Sequence, residues 1–239
     1  SARTAEKIYY DMRKGLIQMK KALSLTLALM MAASMATSVH AAKFTPSVSG
    51  KEAPAVVTST VVSKDGKKTS YVGQVMNQDG KEVKKLKKSQ IKVIPVSKSK
   101  EASKEVKNEL DAAYKQIKNA KTLNDLTPDF EKHLSSISKN LKVSNMVVRD
   151  LFDVTVDKNT EKLLEEGNSI QLTFKLDVKA KSKVVCMRSI GDGKWEIIDN
   201  SKIKNNGDGT VTVELNGAGP VAFVVEKQKA TQKTLNSAN

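Results

Sequence analysis

Four sets of residues in this 239-residue chain have types and spacings that could support chemistry: one histidine, one carboxylate pair, two Asp/Gly loops and one run of lysines. His133 is the only histidine outside the first forty residues, so a Ser-His-Asp constellation would have to be built on it. No serine sits in a nucleophile-elbow motif, and His133 falls one residue before apolar Leu134. It is expected to be a satisfied surface histidine. Glu165 and Glu166 could be imagined as a pair for sugar hydrolysis. Successive helical residues point about 100° apart, so the two would not converge on one substrate. A solvated helix end is the plainer reading. Asn206, Asp208 and Thr210 match the first ligand spacings of a calcium loop, but Glu214 falls at position 9 and nothing acidic follows at 12. Asp192 and Asp208, each between glycines, are better explained by hairpin turns.

The lysines are the most suggestive set. Residues 81–104 hold nine lysines, among them Lys81, Lys84, Lys85, Lys87, Lys88 and Lys92, against Glu82 and Glu101, a net +7. Such a cluster attracts phosphate polymers or anionic surfaces by counterion release. Lysine dominates over arginine, which suits non-specific attraction better than bidentate readout. No aromatic residue interleaves the run, so nucleic acid is not expected as a partner. One cysteine excludes a disulfide framework, and two histidines argue against a multi-histidine metal site. No cofactor is implied. Cys186 lies in the strand-like Lys183-Val-Val-Cys-Met and reads as a small buried hydrophobe.

The elements that position these residues follow from period. Residues 55–63 are β-branched, Asp65-Gly66 marks a hairpin turn, and 69–76 is the return strand. Asp79-Gly80 marks the next turn, and 91–96 forms a strand that Pro95 places at an edge. Ala102, Val106, Leu110, Ala113, Ile117 and Ala120 make one stripe of an amphipathic helix, with Ser99 as its expected N-cap. A second helix starts at Thr127-Pro128 with the stripe Phe130, Leu134, Ile137, Leu141. From 146 onward the period is two again. Strands are expected at 146–156, around 170–178, and at 184–190, 194–198, 210–215 and 221–226, with a short helical turn at 160–166. The fold class is therefore α+β. N-terminal strands and two amphipathic helices over 55–145 precede an antiparallel sandwich over 146–227; a single continuous domain is the alternative.

Upstream, Lys20-Lys21, the apolar run 22–36 and Val39-His40-Ala41 have the anatomy of a secretory signal peptide at 19–41, cleaved after Ala41. The apolar run is short of a membrane span, so no transmembrane segment is expected after cleavage. Residues 1–18 are expected to be mistranslated upstream sequence. Arg13-Lys14-Gly15 can be encoded by a purine-rich run placed like a ribosome-binding site before Met19. Residues 42–54 read as a flexible lead-in and 228–239 as a disordered tail. Cleavage would leave 198 residues carrying +11.

Several stretches recur in a recognisable order: Val147 to Asp153, the alternating 169–176, Gly193-Lys194-Trp195-Glu196, Asp208 to Thr212, and Gly219-Pro220-Val221-Ala222. Together they resemble the C-terminal Ig-like β-sandwich module of uncharacterised secreted and cell-surface proteins of clostridial-type gut bacteria. Asp79 to Val83, followed by 91–96 and a Lys/Glu/Ala helix, is similar to the segment that precedes that module. The resemblance implies location and fold and no activity. The expected function is a secreted, non-enzymatic protein of the bacterial envelope or its surroundings. It would be weakly retained on anionic cell-wall polymer or host glycan through a Lys-rich face. The alternatives are an extracellular hydrolase or inhibitor with an unrecognised site, and a protein-adhesion module.

Overall fold

A computed structural model of the chain describes residues 52–227. The expected upstream segment 1–18, the signal peptide 19–41, most of the lead-in and the tail 228–239 lie outside the described residues. The strands are β1 (Ser59–Val62), β2 (Lys68–Tyr71), β3 (Gly73–Met76), β4 (Glu82–Leu86), β5 (Ile91–Pro95), β6 (Met146–Val156), β7 (Ser169–Lys175), β8 (Val184–Ser189), β9 (Trp195–Ile197), β10 (Ile203–Asn205), β11 (Thr210–Leu215) and β12 (Gly219–Glu226). The helices are α1 (Lys104–Asn119), α2 (Phe130–Ile137) and α3 (Lys158–Glu165). Among the described residues no helix is long and apolar enough to cross a membrane.

Ten strands form two five-stranded antiparallel sheets. The first has the order β10-β11-β7-β3-β4 and the second β5-β6-β12-β8-β9. Alternation in β11 sends Val211, Val213 and Leu215 inward and leaves Thr210, Thr212 and Glu214 half-buried on the outside. Ile170, Leu172 and Phe174 of β7 join them from beside. The second sheet answers with Phe152, Val154, Cys186, Val221 and Phe223. At the centre Phe152, Phe174 and Phe223 meet with ring centroids 5.2, 5.7 and 5.3 Å apart in tilted and edge-on arrangements, the offset geometry aromatic rings prefer. Cys186 is fully buried there, as its strand context predicts.

The second sheet is buried on its other face as well. Val148, Leu151, Val185, Met187, Ala222 and Val224 pack beneath Leu110, Ala113 and Ile117 of α1 and Phe130 and Leu134 of α2. This explains why β12 is apolar without alternation while β11 alternates. The molecule is mixed α+β in three layers: sheet, sheet, helices.

Several expectations need correction. The segments 55–145 and 146–227 do not fold as separate units. β3 pairs with β7 and β5 pairs with β6, so strands from both segments share both sheets, and the described residues fall within one compact unit. The N-cap of α1 is Ser103, whose side chain accepts from the Val106 N–H at 3.3 Å. Ser99 sits instead in a 3₁₀ turn over Val96–Glu101 and donates its hydroxyl to Asp111. Pro95 does lie on an edge strand, β5.

The expected return strand 69–76 is two strands. Ala55 to Val57 runs beside the end of β7, with the Val57 N–H donated to Thr173 O and the Lys175 N–H to Ala55 O. The chain then leaves that lane as the β1–β2 hairpin, turns at Gly66, and re-enters at Gly73 opposite Leu172. Among the described residues β1 pairs with β2 alone, and all four of its residues are exposed. The hairpin is thus an arm inserted into a lane of the first sheet.

Candidate functional site

The lysine run is the crossover that carries the chain from the edge of the first sheet, β4, to the edge of the second, β5. Lys81 follows the turn after β3. Lys84 and Lys85 are in β4, Lys87 and Lys88 are in the connection, and Lys92 is in β5 opposite Thr155. Lys98 and Lys100 lie in the 3₁₀ turn that follows, and Lys104 opens α1. All of these are exposed except Lys84, which is half-buried. None takes part in the ion pairs found among the described residues.

The crossover is anchored by hydrogen bonds rather than left loose. The Lys87 N–H donates to Gln90 Oε1 at 3.0 Å, and Gln90 Nε2 donates to Asp157 Oδ2 at 3.1 Å. The Asp157 N–H returns to Gln90 O at 2.9 Å. Asp157 also caps α3 through the Thr160 N–H at 2.8 Å. Hydrogen bonds from Thr160 hold its carboxyl below the usual range, with smaller help from Gln90 and Lys84. Lys87 and Lys88 therefore project from a backbone whose path is set by the first turn of a helix. The lysines of the run do not share one face. Strand alternation puts Lys84 on the side of buried Leu86 and Lys85 on the other, where its Nζ lies 5.6 Å from the Tyr71 ring centroid. The charges form a rim that wraps the open side of the sandwich.

The other sequence candidates fall elsewhere. His133 on α2 is half-buried, not a satisfied surface residue: its Nε2 is buried without a hydrogen-bond partner. Burial pushes its pKa down, and the Asp199 carboxylate partly restores it. Ser201 Oγ donates to Asp199 Oδ1 at 2.6 Å, so the hydroxyl is tied to the carboxylate rather than to the imidazole that would have to activate it. Glu165 and Glu166 are exposed at the end of α3. Asp208 accepts from the Thr210 N–H at 2.9 Å and its hydroxyl at 2.6 Å, a turn-stabilising pattern. Glu214 accepts from Ser169 on the outer sheet face. Among the described residues no three His, Cys, Asp or Glu side chains gather as metal ligands.

Sequence reasoning did not single out two features. A cavity of about 380 Å³ lies between α1 (Glu109, Ala112, Gln116), the β8–β9 loop and Ala218 to Pro220. Its cation, Arg188, is engaged by Glu196 at 2.7 Å and by Ala218 O at 3.2 Å. Trp195 Nε1 donates to Gln116 Oε1 at 3.0 Å. The second feature is Asp153 in the middle of β6, 1% exposed. Thr155 donates to its Oδ1 at 2.7 Å, while Oδ2 has no partner. Burial raises its pKa to about 6; the Thr155 hydrogen bond opposes this and nearby Glu109 adds to it. A carboxylate flanked by Phe152 and Val154 was the available signal. No family model, curated protein or solved structure matches the chain.

Proposed function

We propose that the chain is a non-enzymatic protein of the bacterial envelope or its surroundings, exported by a signal peptide cleaved after Ala41. In this reading the lysine rim retains it on anionic polymer. The observation that supports it most is the crossover itself: lysines, all but Lys84 exposed, that enter none of the ion pairs among the described residues, on a backbone pinned at Gln90 to the N-terminus of α3. Free cations on a fixed frame gain counterion-release energy from a polyanion without losing internal pairs. The same lysines also blunt the β4 edge, so the two roles coexist.

The Ig-like reading of 146–227 is supported by strand count, with four strands in one sheet and three in the other. The grouping departs from the immunoglobulin order. The first, third, fourth and seventh strands of that segment share the second sheet. The likeness proposed is one of architecture, and its role is to space and present the rim.

Retention on immobilised inorganic polyphosphate and on a sulfated glycan, measured across a salt series, tests the reading. Log affinity should fall linearly with log salt. Replacing Lys85, Lys87 and Lys88 by Gln should reduce the slope by roughly 2, since each neutralised phosphate contributes about 0.7–0.9. Binding that is indifferent to salt, or to the triple substitution, refutes it.

A further inference from the structure

The edges of the two sheets are each protected against pairing with another chain. β4 carries Lys84 and Lys85, and its register with β3 shifts between Val75 and Met76. β5 carries Lys92 and ends in Pro95. β9 and β10 are three residues long. These are the devices that keep sheet edges from recruiting strands. β1 has none of them. It reads Ser-Thr-Val-Val, without charge or proline, inside the uncharged β-branched stretch 55–63.

Among the described residues, the pairing pattern identifies which groups are free. The Ser63 N–H donates to Lys67 O, and in an antiparallel pair the bonded positions alternate. With Val61 opposite Thr69 and Ser59 opposite Tyr71, residues 59, 61 and 63 turn their backbone groups to β2. Thr60 and Val62 turn theirs outward. Val61 and Val62 are also exposed to 41% and 57%. A two-stranded ribbon is marginal alone, so a third strand on this edge would add to it as well as to itself.

We propose that the free edge of β1 is a docking site for an extended acidic segment of a partner protein, which adds as a third strand to the arm. Backbone pairing to Thr60 and Val62 would supply affinity, and the arm's charge would select the sequence. The arm holds Lys64, Lys67 and Lys68 against Asp65, a net +2 over 55–71. Asp65 is already hydrogen-bonded by Ser63 Oγ. A second copy of this chain would bring the same positive arm, whereas an acidic strand complements it.

The test uses the full chain and a ten-residue peptide alternating Val and Glu, with its Val/Lys counterpart as control. The Val/Glu peptide should slow amide exchange at Thr60 and Val62 about tenfold or more, and slow Val61, whose N–H is already paired to β2, by less. Val62→Pro removes one outward N–H while sparing the ladder, and should weaken binding about tenfold. Retained Val61 protection in that variant shows that the arm is still formed. Four results overturn the proposal: no binding of the Val/Glu peptide, binding without a change at Thr60 and Val62, equal binding of the Val/Lys peptide, or a peptide-free dimer in which those two amides are already protected.

Discussion

Removing the buried charge of Asp153 should stabilise the protein at neutral pH, by an amount that depends on pH in a defined direction. The native carboxyl titrates at about 6 against 3.8 in an unfolded chain. A native pKa above the unfolded one means that the folded state binds the proton more tightly. The associated stability is fully present below 3.8 and is lost as pH rises through 6. Two pKa units correspond to about 3 kcal/mol. Asp153→Asn removes that loss at pH 7. Its amide nitrogen, in place of the unpartnered Oδ2, costs about 1–2 kcal/mol. The net expectation at pH 7 is stabilisation by about 1–2 kcal/mol. The amide cost does not titrate, so the firmer quantity is the change in the mutational effect between pH 4 and pH 7, about 2–3 kcal/mol. Urea denaturation of both proteins at several pH values measures it. His133 works in the opposite sense. Its lowered pKa gives stability that is present above its unfolded value and lost as pH falls. Taking the difference between the two proteins cancels it. A mutational effect that stays flat across this range to within about 0.5 kcal/mol would refute the reasoning.

The remaining predictions concern the sheets. At Gly73 an added Cβ would stand 2.5 Å from Leu172 Cδ2 and 2.6 Å from Gln171 O. Gly73→Ala should therefore cost about 2–3 kcal/mol in urea denaturation, because the clashing oxygen belongs to the backbone of the paired strand; a neutral effect would contradict the β3–β7 register. Cys186 is fully buried and burial pushes its thiol pKa up. A thiol-specific disulfide reagent should label it only as urea unfolds the chain, and fast labelling of the native protein would contradict its place in the core.

Much of the fold was legible because its signals are local. β11 begins and ends where its alternation does, and Leu110, Ala113 and Ile117 are buried as the helical stripe requires. Local pattern failed where the deciding contact is distant. β4 was hidden in the lysine run because an edge strand at the rim needs only Leu86 to be buried. The pairing of β3 with β7 joins residues about a hundred positions apart, and no window of sequence records it. The break at Val72 and Gly73 was missed because strand-forming residues lie on both sides of it, while the hydrogen-bond partner changes from β1 to β4 and β7. Of the lysine site, composition was legible and geometry was not: alternation sends Lys84 and Lys85 to opposite sides. Asp153 shows the converse, a visible oddity in an apolar run whose burial from both sides depends on α1.

The position of β12 constrains how the molecule can assemble in time. It lies between β6 and β8 at the centre of the doubly buried sheet, yet among the described strands it is the last in chain order. A chain emerging from the ribosome, or threading N-terminus first through any pore, presents β6 and β8 before the strand that joins them. Until residues 219–226 are free, α1 and α2 have no complete floor and the Phe152–Phe174–Phe223 cluster lacks one ring. Closure is therefore a late event that waits for the whole 52–227 segment, and a chain halted before Gly219 keeps both faces of the unfinished sheet open to chaperones and proteases.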